Sequence, residues 1–219
     1  MSFDNNEEVE SIKIVLIGES GVGKTSIICQ FIDQVFADDR QSTIGGTFST
    51  KIVKWGEGKE LRLEIWDTAG QERYRSVTNM FYKDATAAIL VYDITSKYTY
   101  EELKKYWVKQ VKETSPKNII LAIIANKADL IENEEVDEEE AREFAQKNNA
   151  LFAVTSAKNN SGINDLFIEI AKKYTGIDSA LTFEEKDEKE EEVTNIRKQS
   201  VKITKATQNK RDNEKKGCC

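Results

Sequence analysis

The chain contains no histidine, and that absence removes several chemistries at once. Ser-His-Asp and Cys-His nucleophilic catalysis, zinc-protease helices and His-ligated metal sites all need an imidazole. Cysteine is scarce, limited to Cys29, Cys218 and Cys219. One early cysteine and an adjacent terminal pair make no disulfide framework, so a reducing compartment is expected. No apolar run approaches the roughly 20 residues of a membrane-spanning helix. The opening Met1-Ser-Phe-Asp-Asn-Asn-Glu-Glu8 is acidic and lacks a signal-peptide pattern, and Ser2 stands where N-myristoylation needs glycine. Basic charge is in deficit, 32 Lys and Arg against 39 Asp and Glu, for a net −7. That balance argues against a nucleic-acid partner. A length of 219 residues suits one ordinary domain with extra chain.

The extra chain lies at the ends. Residues 1–11 read as an acidic extension and 12–175 as the folded domain. The tail 176–219 holds 10 acidic and 10 basic residues, one aromatic (Phe183) and no apolar periodicity. Glu184 to Glu192 is mostly acidic and Arg197 to Lys216 mostly basic. Such a segment buries too little apolar surface to offset its ordering entropy, so disorder is expected, with a long solvated helix as the alternative.

Within the domain, short apolar runs alternate with amphipathic stretches. Ile12–Ile17, Ala87–Tyr92, Ile119–Ala125 and Leu151–Thr155 read as strands buried on both faces. Leu61–Trp66 alternates, Phe48–Trp55 loosely so, and Gly56-Glu-Gly-Lys-Glu60 between them predicts a hairpin turn. Ile163, Leu166, Phe167, Ile170, Ala171 and Tyr174 share one helical face, as do Leu103, Tyr106, Trp107 and Val111. Asp137 is placed to cap a helix carrying Ala141, Phe144 and Ala145. The alternation predicts a three-layer α/β domain: a six-stranded, mostly parallel sheet with one antiparallel edge strand, and five helices.

Gly18-Glu-Ser-Gly-Val-Gly-Lys24-Thr25 fits the phosphate-loop pattern, with a strand before it and an amphipathic helix after it. Its glycines let successive N–H groups face a phosphate chain, the helix N-terminus adds a positive dipole end, and Lys24 and Thr25 can reach terminal phosphates and a Mg²⁺ ion. Asp67, at a strand end, can hold the metal through water. Gly70 can approach a phosphate by its backbone, and Gln71 can orient a water. Asn126-Lys-Ala-Asp129 follows another strand, where the ligand loops of such sheets sit. A carboxylate there suits guanine, which presents an N–H and an amine side by side; adenine does not. Ser156-Ala-Lys158 follows the next strand and can read the base carbonyl by its backbone.

GESGVGKT, STIGGTF, WDTAGQE, NKAD and TSAK, in this order and spacing, resemble a small Ras-type GTPase. LEIWDTAGQERYRS, FYKDA, LVYDIT and the final Cys-Cys are similar to the Rab family, and RYRSVTNMFY leans toward its endosomal members. The resemblance covers roughly residues 12–175. It implies a slow GTP hydrolase and vesicle-trafficking switch with these roles. Gly18 and Ser20, then Gly21, Val22, Gly23, Lys24, Thr25 and Ser26 bind phosphates. Thr25 and Thr43 coordinate Mg²⁺, with Asp67 behind a water. Phe36 stacks edge-on against guanine, Asn126 and Asp129 read the base, Lys127 packs along the nucleotide, and Ser156, Ala157 and Lys158 complete the base site. Gln71, Lys24 and Thr43 carry hydrolysis, and Thr43 and Gly70 sense the γ-phosphate.

The resemblance also implies partners: an exchange factor, a GTPase-activating protein, effectors that read Phe48, Trp66 and Phe81, and a prenyl-binding escort (GDI). The three aromatics also suit ordinary core packing. Cys218 and Cys219 match a double-geranylgeranyl acceptor; two lipid chains anchor stably where one does not. The implied protein is a monomer on the cytoplasmic face of an endomembrane, cycling with cytosol, on a spacer of about 35 Å if residues 176–217 are flexible. Three departures stand out. Ile44-Gly-Gly-Thr-Phe48 has Gly46 where relatives carry larger residues, Arg40 replaces a frequent aromatic and either screens phosphate or faces solvent, and Lys83-Asp84 replaces Arg-Gly. A phosphoryl-transfer kinase would need an acceptor site and an arginine lid that the sequence does not show. A binder without hydrolysis sits poorly with Thr25, Thr43, Asp67 and Gln71.

Overall fold

The computed structural model describes residues 9–38, 43, 46–55, 59–68, 81–177 and 181–183. The strands are β1 (Glu10–Ile17), β2 (Gly46–Trp55), β3 (Lys59–Thr68), β4 (Ala87–Asp93), β5 (Ile120–Asn126), β6 (Leu151–Thr155) and β7 (Leu181–Phe183). They form one sheet in the order β6-β5-β4-β1-β3-β2-β7. The five strands β6, β5, β4, β1 and β3 are parallel neighbours. β2 runs antiparallel to β3, the hairpin the alternating pattern predicts.

The helices are α1 (Lys24–Asp33), α2, α3 (Glu138–Lys147) and α4 (Ile163–Thr175). α2 is continuous across Lys97–Glu102, a π turn at Leu103–Trp107, and Val108–Thr114. Phe81 and Tyr82 are also helical, and the twelve residues before them, 69–80, fall outside the described set. The exposed Lys83 and Asp84 form the turn that follows.

The sheet divides its side chains between two apolar layers because successive residues of a strand face opposite ways. Ile12, Ile14 and Leu16 of β1 join Ile89 and Ile124 beneath α1 and α4. Val15 and Ile17 join Leu90, Tyr92 and Ile123 beneath α2 and α3. Every residue of β4 and β5 is buried, which is why both read as unbroken apolar runs. On α4 the expected face, from Ile163 to Ala171, is inside. Phe167 there stacks on Phe31 of α1 with ring centroids 3.8 Å apart. Each such side chain contributes roughly 1.5–3 kcal/mol by leaving water. Asp137 caps α3 as predicted, accepting from the Glu140 N–H at 2.8 Å.

Two boundaries move. β1 takes in Glu10 and Ser11 from the expected extension, and Tyr174 donates to Glu10 Oε1 at 2.6 Å. At the other end, Leu181–Phe183 belong to the segment expected to be disordered, yet they pair antiparallel with β2 as a seventh strand. Phe183 meets Phe31 edge-on at 5.0 Å, and Lys51 of β2 lies over both rings. A three-residue strand has no periodicity to detect; its partners supply the burial. The remainder of the tail, from Glu184 to Cys218 and Cys219, lies outside the described residues.

Candidate functional site

A cleft of about 360 Å³ opens at the carboxyl ends of the parallel strands, lined by the end of β3 and by the loops that follow β1, β5 and β6. Such a position, outside the strand ends of an open α/β sheet, is where ligands of this architecture bind. Ser20, Gly21, Gly23, Lys24, Thr25, Ser26, Phe36, Thr43, Asn126, Lys127, Asp129, Ala157 and Lys158 all line it. Gly18, Val22 and Ser156 sit behind that lining. Gly70, Gln71 and Arg40 lie outside the described residues. Ala37, Asp38 and Leu130 also line the cleft, and no motif had marked them; Thr68, inside WDTAGQE but given no role, lines it too.

The loop between β1 and α1 is held by two close approaches. Gly18 has φ +146°, and a Cβ there would come within 2.3 Å of the Val91 carbonyl oxygen. Gly23 has φ +97°, and a Cβ there would come within 2.3 Å of Asn126 Nδ2. Only glycine satisfies both the dihedral and the contact. The Lys24 ammonium is buried and donates to the carbonyls of Gly18 and Glu19, each at 2.8 Å. Burial pushes its pKa down to about 8, opposed by the negative charges of Asp67 and Glu19. A cation desolvated in this way gains strongly from an arriving anion.

Thr25, Thr43 and Asp67 meet at the phosphate end. Thr25 Oγ1 donates to Asp67 Oδ2 at 2.6 Å, and the two threonine hydroxyls are 2.7 Å apart. A hydroxyl carries one proton. Thr25 gives its proton to Asp67, so Thr43 donates to Thr25. Three hard oxygens thus converge from three segments, with Asp67 fully buried. Hydroxyl and carboxylate oxygens are the donors Mg²⁺ takes, alongside substrate phosphates and water. Among the described residues no group of three His, Cys, Asp or Glu could hold a metal by itself, so an ion here would rely on these hydroxyls and on a ligand.

At the base end the roles separate. Asn126, expected to read the base, lines the cleft and also braces it, with one Nδ2 proton and one Oδ1 lone pair still open to a ligand. Nδ2 donates to the Val22 carbonyl at 2.8 Å, and Oδ1 accepts from Thr155 at 3.0 Å. Its geometry ties the first loop to β5 and β6. Asp129 also faces the cleft, with one oxygen accepting from Ser156 Oγ at 2.5 Å. Lys127 takes a left-handed φ of 69°, and its ammonium pairs with Asp93 Oδ2 at 2.5 Å. Asp93 Oδ1 accepts in turn from the N–H and hydroxyl of Thr95. Asp93 therefore holds the base loop without lining the cleft. Its signals in the sequence were its place at the end of a buried strand and in LVYDIT, neither of which assigned it a role. Thr68 is likewise fixed, donating to the Leu16 carbonyl at 2.6 Å.

Phe48, Trp66 and Phe81 form a separate contiguous surface. Phe48 and Trp66 are cross-strand partners on β2 and β3 with centroids 5.0 Å apart, and Phe81 lies 6.0 Å from Trp66. Phe48 is 51% exposed, too open for a core residue. Gly46 lets this surface close up: a Cβ there would stand 3.2 Å from the Phe81 ring and 3.1 Å from the Asp67 carbonyl oxygen.

The sequence model of the Ras family matches residues 13–176. The chain is 43% identical over 173 residues to "Ras-related protein Rab-22A" of Homo sapiens, covering 79% of this chain and 88% of that one. It is 43% identical over 171 residues to "Ras-related protein Rab-5A" of Dictyostelium discoideum, covering 78% and 84%. It is 44% identical over 162 residues to "GTP-binding protein ypt5" of Schizosaccharomyces pombe, covering 74% and 76%.

Proposed function

Because the chain belongs to the Ras family, within its Rab group, we propose a division of labour among the residues of its cleft. The protein is a Rab-type switch of vesicle trafficking that binds GTP and hydrolyses it to GDP. Lys24 and the N–H groups of Gly21 to Ser26 bind the phosphates. The Thr25 and Thr43 hydroxyls would hold Mg²⁺, with Asp67 acting through a water, and the ion would supply charge to offset the phosphates. The Asp129 carboxylate accepts from guanine N1–H and the 2-amino group together. Ala157 reads the base carbonyl, Phe36 and the Lys127 stem flank the nucleotide, and Asn126 both braces the loops and offers its second Nδ2 proton to the base.

Gln71 orients the water that attacks the γ-phosphorus. The bond from that phosphorus to the bridging oxygen breaks, and GDP and phosphate leave. Loss of the γ-phosphate frees Thr43 and Gly70, the order-to-disorder change that ends the active state. Exchange factors, activators and effectors act on this cycle, with the Phe48–Trp66–Phe81 surface as the effector platform. Lipids on Cys218 and Cys219 attach a monomer to the cytoplasmic face of an endomembrane, from which a prenyl-binding escort retrieves it. Replacing both cysteines by serine moves the protein from sedimented membranes to the soluble fraction; unchanged sedimentation would leave the basic stretch or a protein receptor as the anchor.

The observation that carries this reading is that Thr43 and Thr25, backed by the buried Asp67, line the same cleft as Asp129. The test is to identify the nucleotide released from purified protein, then follow single-turnover GTP hydrolysis with Mg²⁺ and with chelator. Guanine nucleotide, and hydrolysis lost on chelation, is the expected result. Adenine nucleotide, or hydrolysis indifferent to Mg²⁺, would overturn it.

A further inference from the structure

We propose that Trp107 is a positioning residue of the phosphate loop, holding it through Glu19 and so slowing nucleotide release. The proposal rests on the guanine-nucleotide reading above. Trp107 and Glu19 are 88 positions apart, yet the indole Nε1–H donates to Glu19 Oε1 at 2.9 Å. Both are inside, Trp107 at 1% and Glu19 at 7% exposure. A buried carboxylate loses hydration and needs a donor, and this one does not line the cleft. What makes it tolerable is direction. The Glu19 backbone carbonyl accepts from the Lys24 ammonium at 2.8 Å, while the side chain is engaged by the indole of α2. The residue is thus gripped at both ends, and a hydrogen bond to an ionised acceptor is about twice as strong as a neutral one.

The helix is shaped for this contact. α2 departs from regular geometry at Leu103–Trp107, and Trp107 closes that π turn. A π turn gives up regular helix hydrogen bonding and recurs at functional sites. Leu103 and Val111, fully buried on the same helix, account for its packing against the sheet. Tyr106 meets the Trp107 ring edge-on at 4.9 Å. None of these apolar contacts requires an N–H aimed at a carboxylate 88 residues away.

The test measures release of a fluorescent GDP analogue from the loaded full chain. Trp107→Phe keeps an aromatic ring and removes the donor; release at least about threefold faster is expected. Glu19→Ala should match it, and the double variant should be no faster than the faster single, because both remove one contact. Val111→Ala, which trims the same helix away from the loop, should lower the melting temperature and leave release within about twofold. Unchanged release in Trp107→Phe, multiplicative effects in the double variant, or equal acceleration by Val111→Ala would each overturn the proposal. Should Trp107→Phe not fold, Glu19→Ala decides alone: faster release supports the contact and unchanged release overturns it. Wild-type protein that fails to retain the analogue would overturn the nucleotide reading itself, which separates the two failures.

Discussion

The phosphate and base loops are built differently from the segment that brings Thr43 to them. The first group is wedged. Gly18 and Gly23 press against β4 and Asn126 with no room for a methyl group, and Asn126 bridges Val22 and Thr155. Lys127 is pinned to Asp93, and Lys24 to two carbonyls. Thr43, by contrast, joins this corner through a hydroxyl donated to another hydroxyl. Beyond it, β2 opens with Gly46 and carries the exposed Phe48. One half is a preformed mould for the constant part of the ligand, which is guanine and two phosphates. The other half reaches the mould through one hydroxyl contact, which under the proposed function a third phosphate would strengthen. A switch needs this inequality, because a ligand shifts an equilibrium only by its differential affinity for the two states.

The comparison can be broken most severely at the wedge. Gly18→Ala puts a Cβ against a backbone carbonyl at positive φ. The loss should be about 3 kcal/mol or more, read from denaturant unfolding. A cost below about 1 kcal/mol would mean the loop has slack after all. Next comes the base. In Asp129→Asn the amide donor faces the guanine amino group, whereas xanthine offers a carbonyl there. Preference should shift from GTP toward XTP by tenfold or more, since an unpaired buried group costs roughly 1–3 kcal/mol. Competition titration checks this, and a mutant that keeps its GTP preference removes Asp129 as reader.

On the hydrolytic side, Gln71→Leu should slow single-turnover hydrolysis at least about tenfold, or 1.4 kcal/mol of barrier, with affinity kept. Unaltered turnover would end its role.

The smallest effect is a pH dependence of the mould. With the Lys24 pKa at about 8 in the empty site, the ammonium is already charged at lower pH. Above that value a proton must be taken up with the phosphates, so affinity should fall about threefold between pH 7.5 and 8.5. The empty protein should move the opposite way, gaining stability as pH rises above 8, because the unfolded chain then binds the extra proton. A flat binding profile would mean Lys24 stays charged in the empty cleft.

Much of this was legible before any coordinates. Runs buried on both faces marked β4 and β5, and the α4 stripe marked its inner face. Loop motifs after successive strands marked the cleft, because local order there has a local cause. Asp93, Thr68 and the Trp107–Glu19 pair were not legible. Their partners are distant in sequence, and an aspartate at a strand end reads the same whether it pins a lysine or faces water. Asn126 illustrates a partial reading: its motif marked the right place, but only the surrounding loops show that its amide also bridges Val22 and Thr155. The seventh strand was hidden because three residues carry no period.

That short strand also sets a direction of travel. α4 starts beside the Ser156–Ser161 bridge, at the cleft end of the sheet, and ends at Thr175. Leu181 then pairs with Trp55 and Phe183 with Val53, so β7 runs back toward Gly46, whose own partner Thr68 borders the cleft. At Phe183 the backbone has reversed and is aimed at the nucleotide end. The last described residues are therefore held by β2, the strand that carries Phe48, so a change at that sheet edge reaches the end of the described chain without passing through α4.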